Sequence, residues 1–289
     1  MGVYMKNVYI IINYNDYENT SKLINNIQDY NIIDEILIVD NCSKKDCYEK
    51  LKKIQLKKLT IIKTEENKGY GYAINFAAKY CIKKNGDCNL IVSNSDIEIK
   101  EELVLIKLLK YLDDNKDVAI ISPKINEHGE ISYGWKIPNI LDALILNVPI
   151  INRNYEKKNL YYNKDYFDKP IKEVEVVSGC FFIIKANNLK EINYFDENVF
   201  LYYEENIIST KLKRKNKKIM LDTDVEILHN HSKTINKNIN EYNKLKILKS
   251  SQYYFYKNYT KSNKILLCFL KLSNCIVLTL KKVKVGTKN

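Results

Sequence analysis

The chain reads as an α/β protein with a mostly parallel central sheet and helices on both faces. Three observations predict this. Short apolar segments alternate with segments of helical length over the first 122 residues. The apolar segments lack the strict in–out alternation of a half-exposed strand. Polar clusters recur where each strand gives way to the next helix. Strands apolar on both sides belong in a sheet covered on both faces. In open parallel sheets, ligands bind at the edge where strands end and helices begin.

Taken in order, Val8–Ile12 is rich in β-branched residues and stops at Asn13-Tyr14-Asn15-Asp16. It reads as a first strand rather than a signal peptide, because it is short and lacks a small-residue cleavage site. A helix is expected over Ser21–Asp29 with Thr20 as its N-cap. Ile36–Val39 is a second strand, stopped by Asp40-Asn41-Cys42-Ser43. Lys44–Lys53 reads as a helix and Leu59–Lys63 as a third strand. After the turn Asn67-Lys68-Gly69-Tyr70-Gly71 comes a helix over Tyr72–Lys84. Leu90–Ser93 is a fourth strand ending in Asn94-Ser95-Asp96, followed by a helix Glu101–Asn115 and a strand Val118–Ser122.

The second half is less regular. Ile131–Lys169 is Tyr-rich and loop-like, and holds the only tryptophan, Trp135. Val174–Ile184 reads as one long β run with Ser178-Gly179-Cys180 inside it. Phe195–Tyr203 reads as an aromatic strand ending at Glu204-Glu205. A basic helix Ile207–Lys215 and short strands near Ile219–Leu221 and Glu226–Leu228 lead to His229-Asn230-His231-Ser232.

Composition bounds the function. The 289 residues carry a net charge of +12, and 45% are hydrophobic, enough for a full core. The last 57 residues hold thirteen lysines against one acid, Glu241, so the remainder is near neutral. A protein that coats nucleic acid over its whole surface would be basic throughout. Seven cysteines without a Cys-x-x-Cys pair read as buried free thiols in a reducing compartment, which points to the cytoplasm.

The chemistry-bearing residues sit at the strand ends. Asp96, directly after a strand, can hold a hard divalent cation against a diphosphate. Asp40 can accept hydrogen bonds from a nucleobase or ribose. Of the adjacent carboxylates Glu204 and Glu205, one can serve as general base toward an acceptor hydroxyl. His229 can be a metal ligand or phosphate contact. The Asn67–Gly71 turn lacks the third glycine of a dinucleotide fingerprint and the Gly-Lys-Ser/Thr end of a P-loop.

Read together, the motifs are Ile-Asn-Tyr-Asn (12–15), Val-Asp-Asn-Cys-Ser (39–43), Asn-Lys-Gly-Tyr-Gly-Tyr-Ala-Ile-Asn (67–75), Asn-Ser-Asp (94–96), Val-Ser-Gly-Cys-Phe-Phe-Ile-Ile-Lys (177–185), Phe-Asp-Glu-Asn-Val-Phe-Leu-Tyr-Tyr-Glu-Glu (195–205) and His-Asn-His-Ser (229–232). In this order and spacing they resemble the family 2 glycosyltransferases, in particular the bacterial rhamnosyltransferase-like branch. The resemblance covers roughly residues 7–232. It implies a GT-A fold, with a nucleotide-sugar-binding half over about 1–123, an acceptor-binding half over about 124–232, and a basic, mostly helical extension over 233–289. By position it implies that Asn13, Tyr14, Asn15 and Asp40 hold the nucleoside. Asn67, Gly69 and Asn75 would shape the nucleotide-sugar pocket. Asn94-Ser95-Asp96 stands for the Asp-x-Asp motif, with Asp96 and His229 toward Mn2+ or Mg2+. Gly179 and Cys180 would line the donor sugar and acceptor. Glu205, beside Glu204, takes the place of the catalytic base. The family's further acid is here Ile207, and Glu replaces Asp as base.

The implied activity is inverting, metal-dependent transfer from a nucleotide-sugar donor to a saccharide or lipid-linked acceptor. The implied setting is assembly of a surface polysaccharide, capsule or lipopolysaccharide. Three other readings stand beside it. One is a nucleic-acid or anionic-polymer binding module stacking bases on Tyr253-Tyr254-Phe255-Tyr256. Another is a sugar nucleotidyltransferase, which would want an Arg-containing Gly-rich loop after the first strand. The third is an inactive relative, hinted at by Ile207. Ile265–Leu280 is too short and polar to span a bilayer. As a helix it sets Lys264, Lys271, Asn274, Lys281 and Lys282 on one side, which suits either an anionic membrane surface on the inner face of the cell membrane or packing back on the domain.

Overall fold

The structure is a computed structural model that describes residues 5–148, 151–230 and 239–286. Ten strands form one sheet. They are β1 (Lys6–Asn13), β2 (Glu35–Asp40), β3 (Leu59–Lys63), β4 (Cys88–Asn94), β5 (Ile97–Glu98), β6 (Val118–Glu127), β7 (Glu130–Ser132), β8 (Ile171–Glu173), β9 (Phe181–Lys185) and β10 (Lys218–His229). The main path runs β3-β2-β1-β4-β9-β6-β10-β5, with β7 on β6 and β8 on β10.

The first four strands are parallel, as expected from their apolar runs. Beyond β4 the sheet is mixed. β9 runs antiparallel to both β4 and β6, so only β6 and β10 continue the parallel direction. The long β run expected over 174–184 is therefore broken: residues 174–180 form a connection, and the strand begins at Phe181. Phe195–Tyr203 is likewise no strand, and Tyr202 and Tyr203 sit in the left-handed region (φ 67° each). The two short strands expected after 215 are one strand, β10, whose register shifts between Asp222 and Glu226.

Helices α1 (Tyr17–Ile27), α2 (Lys45–Lys52) and α4 (Leu103–Asp114) follow β1, β2 and β5, and α3 (Tyr70–Asn85) follows β3. Both faces of the sheet are buried. On β1, Val8, Ile10 and Ile12 enter one core with Ala73 and Ala77 of α3, while Tyr9 and Ile11 enter the other with Leu23 of α1 and Leu108 of α4. This alternation is the period-two geometry of a strand with apolar residues in both positions. The first helix starts one turn before Thr20, because Thr20 Oγ1 is drawn inward to Asn13 Oδ1 at 2.9 Å; Asp16 takes the N-cap position.

The region expected to be loop-like carries α5 (Ile140–Leu146), opened by an Asn139/Asp142 capping box, and α6 (Asn152–Asn159). Further on come α7 (Ala186–Glu191) and α8 (Glu204–Arg214), which begins at the paired glutamates. In the basic C-terminal part, α9 (Glu241–Asn258) and α10 (Lys264–Gly286) pack back on the sheet domain. Phe255 and Tyr256 of α9 and Leu270 of α10 join Ile140, Ala143, Tyr203 and Ile207 in a third core cluster.

Candidate active site

The strand ends converge as the parallel half of the sheet requires, but not every predicted residue faces open space. Asn13 and Asp40 are fully buried. Asn13 Nδ2 donates to Asp40 Oδ1 (2.8 Å) and Ser43 Oγ (3.1 Å), and the Ser43 amide donates to Asp40 Oδ2 (3.1 Å). Both therefore order the two loops from within. The partly exposed residues at this rim are Tyr14, Asn15 and Asn67. Asn15 holds the rim together, with Oδ1 accepting the Lys44 amide at 2.8 Å.

Asn75, expected to shape the pocket, acts on a neighbouring loop. It is buried, and its amide clamps the 195–197 loop: Nδ2 donates to the Phe195 carbonyl (3.0 Å) and Glu197 Oε1 (2.8 Å), while Oδ1 accepts the Phe195 amide (2.9 Å). Gly69 lies at φ 106°, where its missing side chain lets the Phe200 carbonyl approach; a Cβ would stand 2.0 Å from that oxygen. Asn41 ties this turn in, donating to Asn67 Oδ1 at 3.0 Å.

Asp96 and His229 are far apart in sequence and adjacent in space. The two-residue strand β5 starts at Ile97 and pairs antiparallel with β10, setting Ile97 opposite His229. His229 Nε2 is 3.3 Å from Asp96 Oδ1, and Nδ1 is 2.9 Å from Glu127 Oε1. Glu127 comes from the end of β6, parallel to β10, and was not foreseen; it ends a strand beside a glycine turn that carried no motif. Cys180 completes the cluster, its sulfur within 4.8 Å of the Glu127 and His229 ligand atoms. Pairing of Ser93 with Phe181 brings Cys180 here, and its carbonyl accepts the Asn94 amide at 2.9 Å. Burial favours a neutral His229, but Asp96, Cys180 and Glu127 reverse this and push its pKa up to about 12. His231 and Ser232 lie outside the described residues.

The donor set fits a divalent cation. Two ligands at right angles on an ion with bonds near 2.1 Å stand about 3 Å apart. The Asp96–His229 separation is close to that. A cation bound in place of the Nε2 proton would find His229 oriented by the Glu127 carboxylate on Nδ1, an arrangement usual around ligating histidines.

The glutamate pair divides its roles by position. Both open α8, where the helix dipole favours negative charge. Glu204 is buried, and its Oε2 has no hydrogen-bond partner among the described residues. Burial, then the charge of Glu205, raises its pKa well above the usual carboxylate range. Glu205 is partly exposed; burial raises its pKa too, opposed by its own backbone amide and that of Gly179. Glu205 borders a cavity of about 490 Å³ that also involves Trp135, Tyr161 and Tyr202. Tyr70 links the two sides of the site. Its hydroxyl donates to the Gly179 carbonyl at 2.7 Å, and it feels the charges of Cys180, Glu205, Glu204 and Asp96.

The position of the family's further acid, Ile207, is a core position. Its side chain is 1% exposed, in the cluster shared with α9. In the same cluster Phe255 and Tyr256 are fully buried, with Tyr253 and Tyr254 packed against it. The rings on which a base-stacking reading relied are spent inside the protein.

Comparison with known proteins agrees with this architecture. The chain is 24% identical over 221 residues to the low-salt glycan biosynthesis hexosyltransferase Agl10 of Haloferax volcanii. That match takes in 76% of this chain and 66% of the relative, just under two thirds of its length. Among solved structures, GalNAc-T7 with UDP, GalNAc and Mn2+ superposes with a TM-score of 0.59 at 13% identity, over 93% of this chain and 54% of that one. The mannosyltransferase PcManGT of Pyrobaculum calidifontis, in complex with GDP-Man and Mn2+, gives 0.58 at 13% identity, over 98% and 75%. These likenesses establish a GT-A fold. The model for "Glycosyl transferase family 2" matches residues 9–192, well over half the chain and spanning the strand-end loops through Cys180, and the chain belongs to that family.

Proposed function

We propose that the protein is an inverting glycosyltransferase that moves a hexose from a nucleoside-diphosphate donor to a hydroxyl of a saccharide or lipid-linked acceptor. The observation that carries this reading is the placement of Glu205. Its carboxylate borders a large aromatic cavity and, through Gly179 and Tyr70, adjoins the strand-end cluster of Asp96 and His229. A base on one side and a cation-binding group on the other are what displacement of a diphosphate by a hydroxyl needs.

In this reading Tyr14, Asn15 and Asn67 form the exposed rim of the nucleotide pocket within residues 1–123. Asn94, Asp96 and Cys180 face the diphosphate and donor sugar. Asp96 and His229 would hold Mn2+ or Mg2+, with Glu127 orienting the imidazole. The cation, when bound, supplies positive charge against the leaving diphosphate. Glu205 takes the proton of the acceptor hydroxyl, and Glu204 stays buried beside it. The complexes of GalNAc-T7 and PcManGT with Mn2+ support the cation, and the relative's name as a glycan biosynthesis hexosyltransferase supports a hexose and a glycan product. Rhamnose as the donor sugar rests on the family branch alone.

Location is proposed as cytoplasmic and peripheral to the membrane. Among the described residues no helix is long and apolar enough to cross a membrane. The support for surface binding is the outer face of α10, discussed below.

The test is a panel of nucleotide sugars with Mn2+ or Mg2+, reading released nucleoside diphosphate. Asp96→Ala and Glu205→Gln should each lower turnover by about 10²-fold or more while the protein stays folded. Near-normal turnover in Glu205→Gln would remove the base assignment.

A further inference from the structure

The cavity beside Glu205 is larger than a reacting hydroxyl needs, and part of its lining has no role in the transfer itself. Lys249 of α9 lines it, yet only 7% of that residue is exposed. Among the described residues its ammonium has one hydrogen-bond partner, Asn147 Oδ1. The Asn147 amide nitrogen donates to Ser273 Oγ and Asn274 Oδ1, each at 2.7 Å, and this fixes which end of the amide meets the lysine. Among the described residues no carboxylate pairs with Lys249, and Glu156 on the cavity wall acts on it only through space. Gln252, one turn along α9 and 3% exposed, also lines the cavity. Its Nε2 donates to the Tyr203 hydroxyl at 3.0 Å, while its Oε1 has no partner among the described residues.

A buried ammonium with a single neutral partner opposes folding, because desolvation is offset only by a counter-charge. Burial accordingly lowers the Lys249 pKa to about 8, and Glu156 partly restores it. Lys249, Gln252, Trp135, Tyr161, Tyr202 and Glu205 all line this one volume. Aromatic faces suit the C–H faces of a sugar ring, and an ammonium without a counter-charge suits an oxyanion.

We propose that this cavity is an acceptor subsite for an anionic sugar derivative, a sugar phosphate or a uronic acid, and that Lys249 is its anion-recognising specificity residue. The proposal rests on Glu205 being the base of the glycosyl transfer above. Lys249 holds the phosphate or carboxylate, Gln252 Oε1 accepts from a sugar hydroxyl, and the reacting hydroxyl is turned toward Glu205.

Trp135 is the only tryptophan and borders the cavity, so its fluorescence reports occupancy. The full chain is titrated with glucose 1-phosphate, glucuronate, methyl glucoside and inorganic phosphate. In parallel, thermal stabilisation by nucleoside diphosphate with Mn2+ is measured. The expected result is saturable binding of glucose 1-phosphate or glucuronate about tenfold or more tighter than methyl glucoside. That preference should vanish in Lys249→Met, with nucleotide stabilisation retained. Equal affinity for methyl glucoside, or an unchanged preference in Lys249→Met, overturns the proposal. Inorganic phosphate binding as tightly as glucose 1-phosphate overturns the assignment to an acceptor. The wild-type comparison needs no variant and decides the question should Lys249→Met fail to fold. If the wild type shows no nucleotide stabilisation, the transferase reading falls and this proposal with it. Nucleotide stabilisation without anion preference removes this proposal alone.

Discussion

Gly179 occupies a place where any side chain would collide with Glu205: a Cβ there would lie 2.6 Å from Glu205 Oε1. The clash is with the far end of a flexible side chain, so Gly179→Ala is relieved by moving the carboxylate rather than the backbone. Stability should barely change, whereas displacing a reacting group by about 1 Å costs on the order of 10²-fold in rate. The pH profile gives a second readout. Burial raises the Glu205 pKa. A base works only when deprotonated, so wild-type activity should fall as pH drops through a value above the ordinary glutamate pKa of about 4.3. In Gly179→Ala the carboxylate is pushed toward water, and the acid limb should move down. Measurement of kcat/KM against pH and of Tm for both proteins checks this. A variant with the parent's turnover and the parent's acid limb would show that the close contact does not position the base.

At the scale of elements, Ile207 shows how a helix can leave a family pattern without losing its site. The first turn of α8 sends Glu205 to the cavity and Ile207 into the cluster with Phe255 and Tyr256. Ile207→Asp, which restores an acid, should therefore destabilise by about 4 kcal/mol or more, because it buries a carboxylate and deletes apolar contacts. Urea denaturation reads this directly; a folded Ile207→Asp with increased turnover would mean that the position faces substrate. The same helix marks the limit of what the linear sequence conveys. Strands β1 to β4 and helices α1 to α4 were readable because apolar runs and polar stops are local signals. The reversed direction of β9 was not, because the apolar run Phe181–Ile184 looks the same in either direction and only the chain path through 174–180 sets it. The site divides in the same way. Asp96, Glu205 and His229 stand beside strand ends or helix starts and were visible. Glu127, Asn147, Lys249 and Gln252 acquire their roles from β6–β10 pairing and from α9 folding back, contacts between segments distant in sequence. Asn13, Asp40 and Asn75 stand out in the sequence because they are polar at strand ends and helix starts, and their hydrogen bonds hold those places together.

For the whole molecule, the uneven charge and the two-sided α10 belong together. At about 100° per residue, Leu266, Leu270, Asn274 and Val277 form one face of α10. Leu270 and Asn274 are buried against the domain, so Asn274 is not on the outer side with the lysines. Ile265, Phe269, Leu272, Ile276 and Leu280 line the opposite face and are each more than half exposed, and Cys268 and Cys275 are exposed beside them rather than buried. Lys264, Lys271 and Lys282 run along one border of that face, all exposed. An apolar stripe edged by lysines complements an anionic bilayer surface, to which each lysine adds roughly 1 kcal/mol at low salt. A second copy of the same helix would bring like charges together. Since the stripe is exposed, Phe269→Ser with Ile276→Ser should leave the fold and the Trp135 environment intact, unlike deletion of α10, which removes Leu270 from the core. The parent protein should sediment with phosphatidylcholine vesicles that contain phosphatidylglycerol and be released by high salt, and the double variant should stay in solution. Parent protein that ignores anionic vesicles at low salt, or that instead forms a dimer abolished by the same substitutions, would assign the stripe to something other than lipid.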